Sequence, residues 1–212
     1  MKVTSNFIKR FHLDKKHRLL NCRGVLEVHE FFSALDIRNE GQIDDVQFLA
    51  FMQASTDLPE SQIYKVFDMF DVDDSGYVEF DEFYLLFCML VAIKDREEKQ
   101  FMYCHSRTCF ELLDEDGNKS VGIPEFMRFG FVFNFSQRAT RQIFKEFDVD
   151  GSKELDYEEF RMFTLAAIDK QQEMEREQEK RMLAQQWRRE RLTALAKMFT
   201  PSKDGTSHCT LQ

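Results

Sequence analysis

Long apolar runs are missing from this 212-residue sequence. No stretch approaches the roughly 18 to 20 unbroken apolar residues of a membrane span, and the opening MKVTSNFIKRFHLDKKHRLL has no apolar block of a secretory signal. A cytoplasmic address is the expectation. Paired cysteine spacing is missing too. Cys22, Cys88, Cys104, Cys109 and Cys209 are scattered and odd in number, which argues against a disulfide framework and a zinc site and leaves reduced thiols, most of them buried. Strand-like alternation is almost absent, and there are only 3 prolines. There is no Gly-rich phosphate cradle, and His12, His17, His29, His105 and His208 stand in neither metal nor triad spacing. The acidic clusters are all absorbed by the loops described below, so no enzymatic activity is expected.

What is present is aromatic, helical and acidic. A 43% hydrophobic content with 23 Phe and 10 Met suffices for real, soft-packed cores without covalent staples. The net charge of −9 argues against nucleic acid as a partner, because phosphate binding needs a basic surface. The charge is uneven. Residues 1–24 are basic through Lys2, Lys9, Arg10, Lys15, Lys16, Arg18 and Arg23, the middle is acidic, and Lys180 to Lys197 is basic again. Either end could meet an acidic partner, an anionic membrane or the chain's own acidic middle.

The sequence repeats itself four times: EVHEFFSALDIRNEGQIDDVQFLAFM, SQIYKVFDMFDVDDSGYVEFDEFYLLF, SRTCFELLDEDGNKSVGIPEFMRFGF and TRQIFKEFDVDGSKELDYEEFRMFTL. Each unit is a helix-period apolar run, a polar Asp-rich stretch and a second apolar run. Phe31, Phe67, Phe110 and Phe144 occupy the same place, which predicts inner helix faces. The charged AIKDREEKQF divides the units two and two as a junction, with a continuous helix one way to span it. The expected architecture is all-α, with a basic segment 1–24, helix-loop-helix pairs at 25–93 and 94–168, a long basic amphipathic helix at 169–200 and a flexible tail at 201–212.

The polar stretches have the spacing of the twelve-residue EF-hand calcium loop, which needs oxygens at its first, third, fifth, seventh, ninth and twelfth places and a turn glycine at the sixth. Asp71, Asp73, Ser75, the Tyr77 carbonyl, Glu79 and a bidentate Glu82 supply all of them, with Gly76 at the turn. Asp148, Asp150, Ser152, the Glu154 carbonyl, Asp156 and Glu159 form a fourth-hand set in which Lys153 replaces the glycine. Asp114, Asp116, Asn118, the Ser120 carbonyl, a water and Glu125 form a third set, with Lys119 at the turn and Gly122 in the ninth place. A lysine there costs backbone strain and adds repulsion, so these two should bind more weakly. The first loop, Asp36 to Gln47, has Arg38 and Gln47 where carboxylates belong and reads as a degenerate hand. It would pair with the second through Ile43 and Val78, as Val121 would with Leu155. Ca2+ is thus the expected cofactor.

Met69, Met89, Met102, Met127 and Met162 fit either a groove for an amphipathic partner helix or ordinary core. Leu183, Trp187, Ala194, Leu195, Met198 and Phe199 lie near one face of the long helix, with Arg188, Arg189, Arg191 and Lys197 around them, as in a target helix for an EF-hand lobe. The ending Cys209-Thr210-Leu211-Gln212 is CaaX-like, so Cys209 is a candidate lipidation site that with the basic helix would give peripheral membrane contact.

QFMYCHSRTCFELLDEDGNKSVG, FDMFD, FYLLFCML and FKEFDVDGSKELDYEEF together resemble the EF-hand calcium-binding domain-containing protein 9 family over residues 8 to 170. The resemblance implies a cytosolic calcium sensor of the CatSper sperm flagellar cation channel, working with its auxiliary and cytoplasmic subunits. It makes the Asp71 to Glu82 loop the sensing site. The long basic helix and CaaX-like end depart from that family. The leading expectation is a calcium-sensing regulatory subunit. The competing one is a structural component of the ciliary or flagellar axoneme.

Overall fold

The computed structural model describes residues 1–71, 73–114, 116–130, 141, 144–149 and 151–199. The tail at 201–212, with Cys209, and the ligand candidate Asp150 lie outside them. Among the described residues a 3-10 turn at Ile8–Arg10 is followed by six α-helices: α1 (Cys22–Leu35), α2 (Asp45–Ser55), α3 (Glu60–Phe70), α4 (Phe80–Asp95), α5 (Glu98–Leu113) and α6 (Ile123–Gly130). Residues 144–147 are helical, and a long helix runs over Tyr157–Phe199. Two units emerge, Met1–Gln171 and Gln172–Gln212.

Local chemistry explains these boundaries. Asn21 caps α1 by accepting the Gly24 N–H at 2.8 Å, and Val28 and Phe32 then fall inward one turn apart. On α3 the buried Ile63, Val66, Phe67 and Phe70 follow the three-and-four spacing of a single inward face. The loops between helices pair in twos through antiparallel strands: β1 (Gln42–Ile43) with β2 (Val78–Glu79), and β3 (Val121–Gly122) with β4 (Glu154–Leu155). Ile43 stands opposite Val78 and Val121 opposite Leu155, the register expected from sequence, and all four side chains are fully buried.

The cores are ring-on-ring. Phe83 lies 5.1 Å from Phe32 and 4.8 Å from Phe51, and Phe163 lies 4.5 Å from Phe126 and 5.9 Å from Phe144. Phe67, Phe110 and Phe144 are buried as expected. Phe31 is only half-buried, and its ring stacks at 4.5 Å on Phe7 of the N-terminal segment. Met69, Met89 and Met102 are core residues, whereas Met162 is exposed.

Three expectations change. The junction is no continuous helix: Arg96 takes φ 58°, ψ 39°, which ends α4 before α5 begins at Glu98. The four cysteines among the described residues divide evenly, where most were expected to be buried. Cys22 and Cys104 are exposed, and Cys88 and Cys109 are buried, with burial pushing the thiols up to about 11 and about 12. The long helix begins at Tyr157, as one uninterrupted helix with the exit of the fourth loop, because no glycine or proline breaks its hydrogen bonding. Its Leu183, Trp187 and Leu195 are exposed, Trp187 by 66%.

The basic N-terminal segment meets the chain's own acidic groups. Val3 bridges Thr56, and the Thr4 N–H donates to the Ser55 carbonyl at 2.9 Å. Ile8, Phe11, Leu13 and Leu20 are buried, and the Phe11 ring stands 5.1 Å from Phe87 of α4. Lys94 donates to the Phe11 carbonyl. Arg10 pairs with Glu27 at 3.8 Å, His12 with Asp95 at 2.9 Å and Arg18 with Glu97 at 2.7 Å. Asp14 accepts the N–H groups of Lys16, His17 and Leu19, and these bonds, His17 foremost, hold its carboxyl below the ordinary 3.8. Among the described residues no helix is long and apolar enough to cross a membrane.

Candidate calcium-binding loops

One frame recurs in all four loops. The first-place aspartate turns Oδ2 back to accept the sixth-place N–H: Asp36 from Gly41 at 2.7 Å, Asp71 from Gly76 at 2.9 Å, Asp114 from Lys119 at 2.9 Å and Asp148 from Lys153 at 3.1 Å. The twelfth-place side chain accepts the ninth-place N–H: Gln47 from Asp44 at 2.8 Å, Glu82 from Glu79 at 2.9 Å, Glu125 from Gly122 at 2.7 Å and Glu159 from Asp156 at 3.2 Å. These bonds curl the loop and cap the helix that leaves it.

The fourth and sixth places both sit in the left-handed region. They are Asn39 and Gly41, Asp74 and Gly76, Gly117 and Lys119, Gly151 and Lys153, with φ between 54° and 81°. The first pair of loops therefore meets this demand with glycine at the sixth place, the second pair with glycine at the fourth. Attention to the turn glycine alone misses the fourth place, although the recurrence of Asn, Asp and Gly there is the signal for it. At Gly76 no atom lies within 4 Å of where a Cβ would stand, so a side chain would meet conformational strain and no clash. Replacing Lys119 and Lys153 by Gly is accordingly expected to stabilise the second pair by about 1 kcal/mol per site and to tighten its calcium affinity. Thermal melting with and without calcium, together with calorimetry, checks both effects.

The donor sets fit calcium to different degrees. In the second loop Asp71 is buried, Ser75 donates its N–H to Asp71 at 2.8 Å and to Asp73 at 3.1 Å, and the Ser75 hydroxyl lies 3.2 Å from the Tyr77 carbonyl. The Asp73 carboxyl is held below its ordinary value by the Ser75 hydroxyl and then by the Ser75 N–H, so it is charged and ready at neutral pH. In the third and fourth loops Asp114 Oδ1 and Asp148 Oδ1 are buried without a hydrogen-bond partner. A buried carboxylate oxygen with no donor is costly, and a divalent cation bound there would relieve that cost. Asn118 donates its N–H to Asp116 at 3.0 Å, Ser152 donates to the Glu154 carbonyl at 2.8 Å, and Glu159 Oε1 accepts the Val149 N–H at 3.0 Å. Ser120 donates to Glu154 across the two loops.

Among the described residues no three acidic, imidazole or thiol groups converge on one point. The geometry above supplies the reason, since the twelfth-place carboxylates are turned to their backbone caps. Coordination by Glu82, Glu125 or Glu159 requires release of that cap, at a cost of about 1 kcal/mol. The first loop is closed differently. Arg38, in the third place, reaches Asp44, in the ninth, at 3.5 Å, so a guanidinium bridges the positions an ion would bridge. With Gln47 forming the cap, this supports a structural hand.

Residues 26–88 match the EF-hand domain pair and residues 140–164 the EF hand, and the third loop lies between these stretches. Cell division control protein 31 of Saccharomyces cerevisiae is 25% identical over 137 residues, 63% of this chain and 81% of that protein. A probable calcium-binding protein, CML13 of Oryza sativa, is 27% identical over 137 residues, 63% and 78% of the two chains. Centrin-3 of Homo sapiens is 24% identical over 149 residues, 69% and 86%. These matches fall on helix-loop-helix pairs with oxygen-lined loops: residues 26–88 and 140–164 carry EF-hand sequence, a domain that binds Ca2+, and the chain is similar to calmodulin-like and centrin proteins.

Proposed function

We propose that this chain is a calcium-dependent regulatory protein in which ion capture at Asp71, Asp73, Ser75, Tyr77, Glu79 and Glu82 frees the first pair of hands to hold a protein partner. The observation that carries this reading is the placement of Glu82, Phe83 and Phe87 on the same helix. Glu82 caps the start of α4, while Phe87 lies 5.9 Å from Phe7 and 5.1 Å from Phe11 of the N-terminal segment. A bound calcium ion supplies the divalent charge that outcompetes one backbone N–H for the Glu82 carboxylate. Turning Glu82 towards the loop pulls the first turn of α4 with it, and Phe83 and Phe87 move as part of the same rigid helix. The seat of Phe7, Ile8 and Phe11 is thereby weakened, and an apolar groove becomes available.

The partner chemistry is an amphipathic helix with apolar anchors, since a Phe-lined groove accepts one. A flagellar cation channel complex, with CatSper subunits as partners, follows from the resemblance over residues 8 to 170. The competing structural role in an axoneme is favoured if the N-terminal segment stays seated at every calcium level, because a filled groove makes the first pair a rigid wedge.

Hydrogen exchange on the full chain distinguishes the two. Calcium at about micromolar levels is expected to speed exchange of the Thr4 N–H and to raise binding of an apolar dye. Exchange and dye binding that ignore calcium would overturn the regulatory reading.

A further inference from the structure

A cavity of about 360 Å³ opens between the N-terminal loop at Lys15 to Arg18 and the first turns of α5. Lys15, Lys16, Arg18 and Lys99 line it with Gln100, Tyr103, Cys104 and Leu165, and no carboxylate is among the lining residues. Four cations around one small cavity are conspicuous in a chain of net charge −9. Arg18 is paired with Glu97 at 2.7 Å and Lys99 with Asp169 at 2.6 Å, which holds their side chains in place. Lys15 and Lys16 have no ion pair among the described residues and are exposed. Their loop is built firmly. Asp14 accepts three of its N–H groups, and the Lys16 and His17 carbonyls are held by Cys104 Sγ at 3.8 Å and His105 Nε2 at 2.9 Å.

We infer that this cavity binds a small ring-bearing phosphorylated anion, of the sugar phosphate or inositol phosphate class. The cations supply the charge, with Arg18 presenting a planar fork suited to phosphate. Tyr103, 62% exposed, and the half-buried Leu165 give a mixed aromatic and aliphatic wall for the ring face. Tyr103 is backed by the Arg161 guanidinium at 5.4 Å from its centroid. The volume suits a single phosphorylated ring better than an extended acidic peptide. The same ligand chemistry is offered by a soluble inositol phosphate or by a phosphoinositide headgroup at a membrane surface.

The test is calorimetry of the full chain with inositol trisphosphate, beside flotation with vesicles of phosphatidylcholine alone, with added phosphatidylserine, or with added phosphatidylinositol bisphosphate. Inositol trisphosphate is expected to bind with a micromolar-class constant, and Lys15→Gln with Lys16→Gln to weaken it by about 10- to 100-fold at unchanged melting temperature. Tyr103→Ala is expected to weaken it further without changing the salt dependence. Recovery with bisphosphate vesicles but not serine vesicles assigns the site to the lipid headgroup, and binding of the soluble ligand alone assigns it to a free metabolite. Absence of heat, equal binding by the lysine variant, equal recovery by serine vesicles, or equal affinity for an acidic peptide overturns the inference.

Discussion

Glu82→Gln is expected to shift calcium affinity at the second loop from the micromolar class to the millimolar class, about two to three orders of magnitude, while leaving the fold in place. The first loop shows why the two effects separate. Gln47 occupies the same twelfth place and still accepts the Asp44 N–H at 2.8 Å, so an amide caps the exit helix as a carboxylate does. What the amide lacks is the second anionic oxygen that replaces ion hydration. Calorimetry of the variant beside the parent should show the strongest calcium transition lost and the melting temperature without calcium nearly unchanged. An unchanged transition would move the primary site to the third and fourth loops, where Asp114 Oδ1 and Asp148 Oδ1 lie buried without partners.

Ile8→Ala and Phe11→Ala should each lower stability by about 2–5 kcal/mol, the range for truncating a buried Ile or Phe. Ile8 is fully buried, and Phe11 meets Phe7 at 5.0 Å and Phe87 at 5.1 Å. Because both hold one short segment against one surface, the double variant should fall short of the sum. It should also bind an apolar dye without calcium, since losing the segment bares the ring of Phe87. Denaturant unfolding measures the first effect and dye fluorescence the second. Losses under about 1 kcal/mol would mean that the segment is a loosely held tail. The regulatory reading would then lose its latch.

The loops and the pairing of the hands were legible in the sequence because both depend on local rules. Aspartates at alternate places, a carboxylate or amide at the twelfth and one apolar residue at the eighth define a loop that closes on itself, so Ile43 faces Val78 and Val121 faces Leu155 with no information from elsewhere. The expectation of a degenerate first loop came from Arg38 and Gln47 for the same reason, although the contact from Arg38 to Asp44 was not legible. The break at Arg96 was less accessible, since nothing in AIKDREEKQF forbids a helix and the left-handed residue follows from how α4 and α5 must turn to pack.

The amino-acid sequence by itself determined the helix-loop-helix repeat, and it nominated the candidate oxygen donors at Asp71, Asp73, Ser75, Tyr77, Glu79 and Glu82 and the lysines at 119 and 153 in the turn places. Each is a short-range consequence of spacing and residue type. Tertiary structure alone decided where the basic N-terminal segment goes, which acidic groups it meets, and that Lys15 to Arg18 and α5 enclose a cationic cavity. Those outcomes depend on contacts between residues some 80 positions apart, such as Arg18 with Glu97 and His17 with His105. Long-range partners are chosen by which apolar surfaces are left to cover after the hands have formed, and a linear pattern carries no record of that choice.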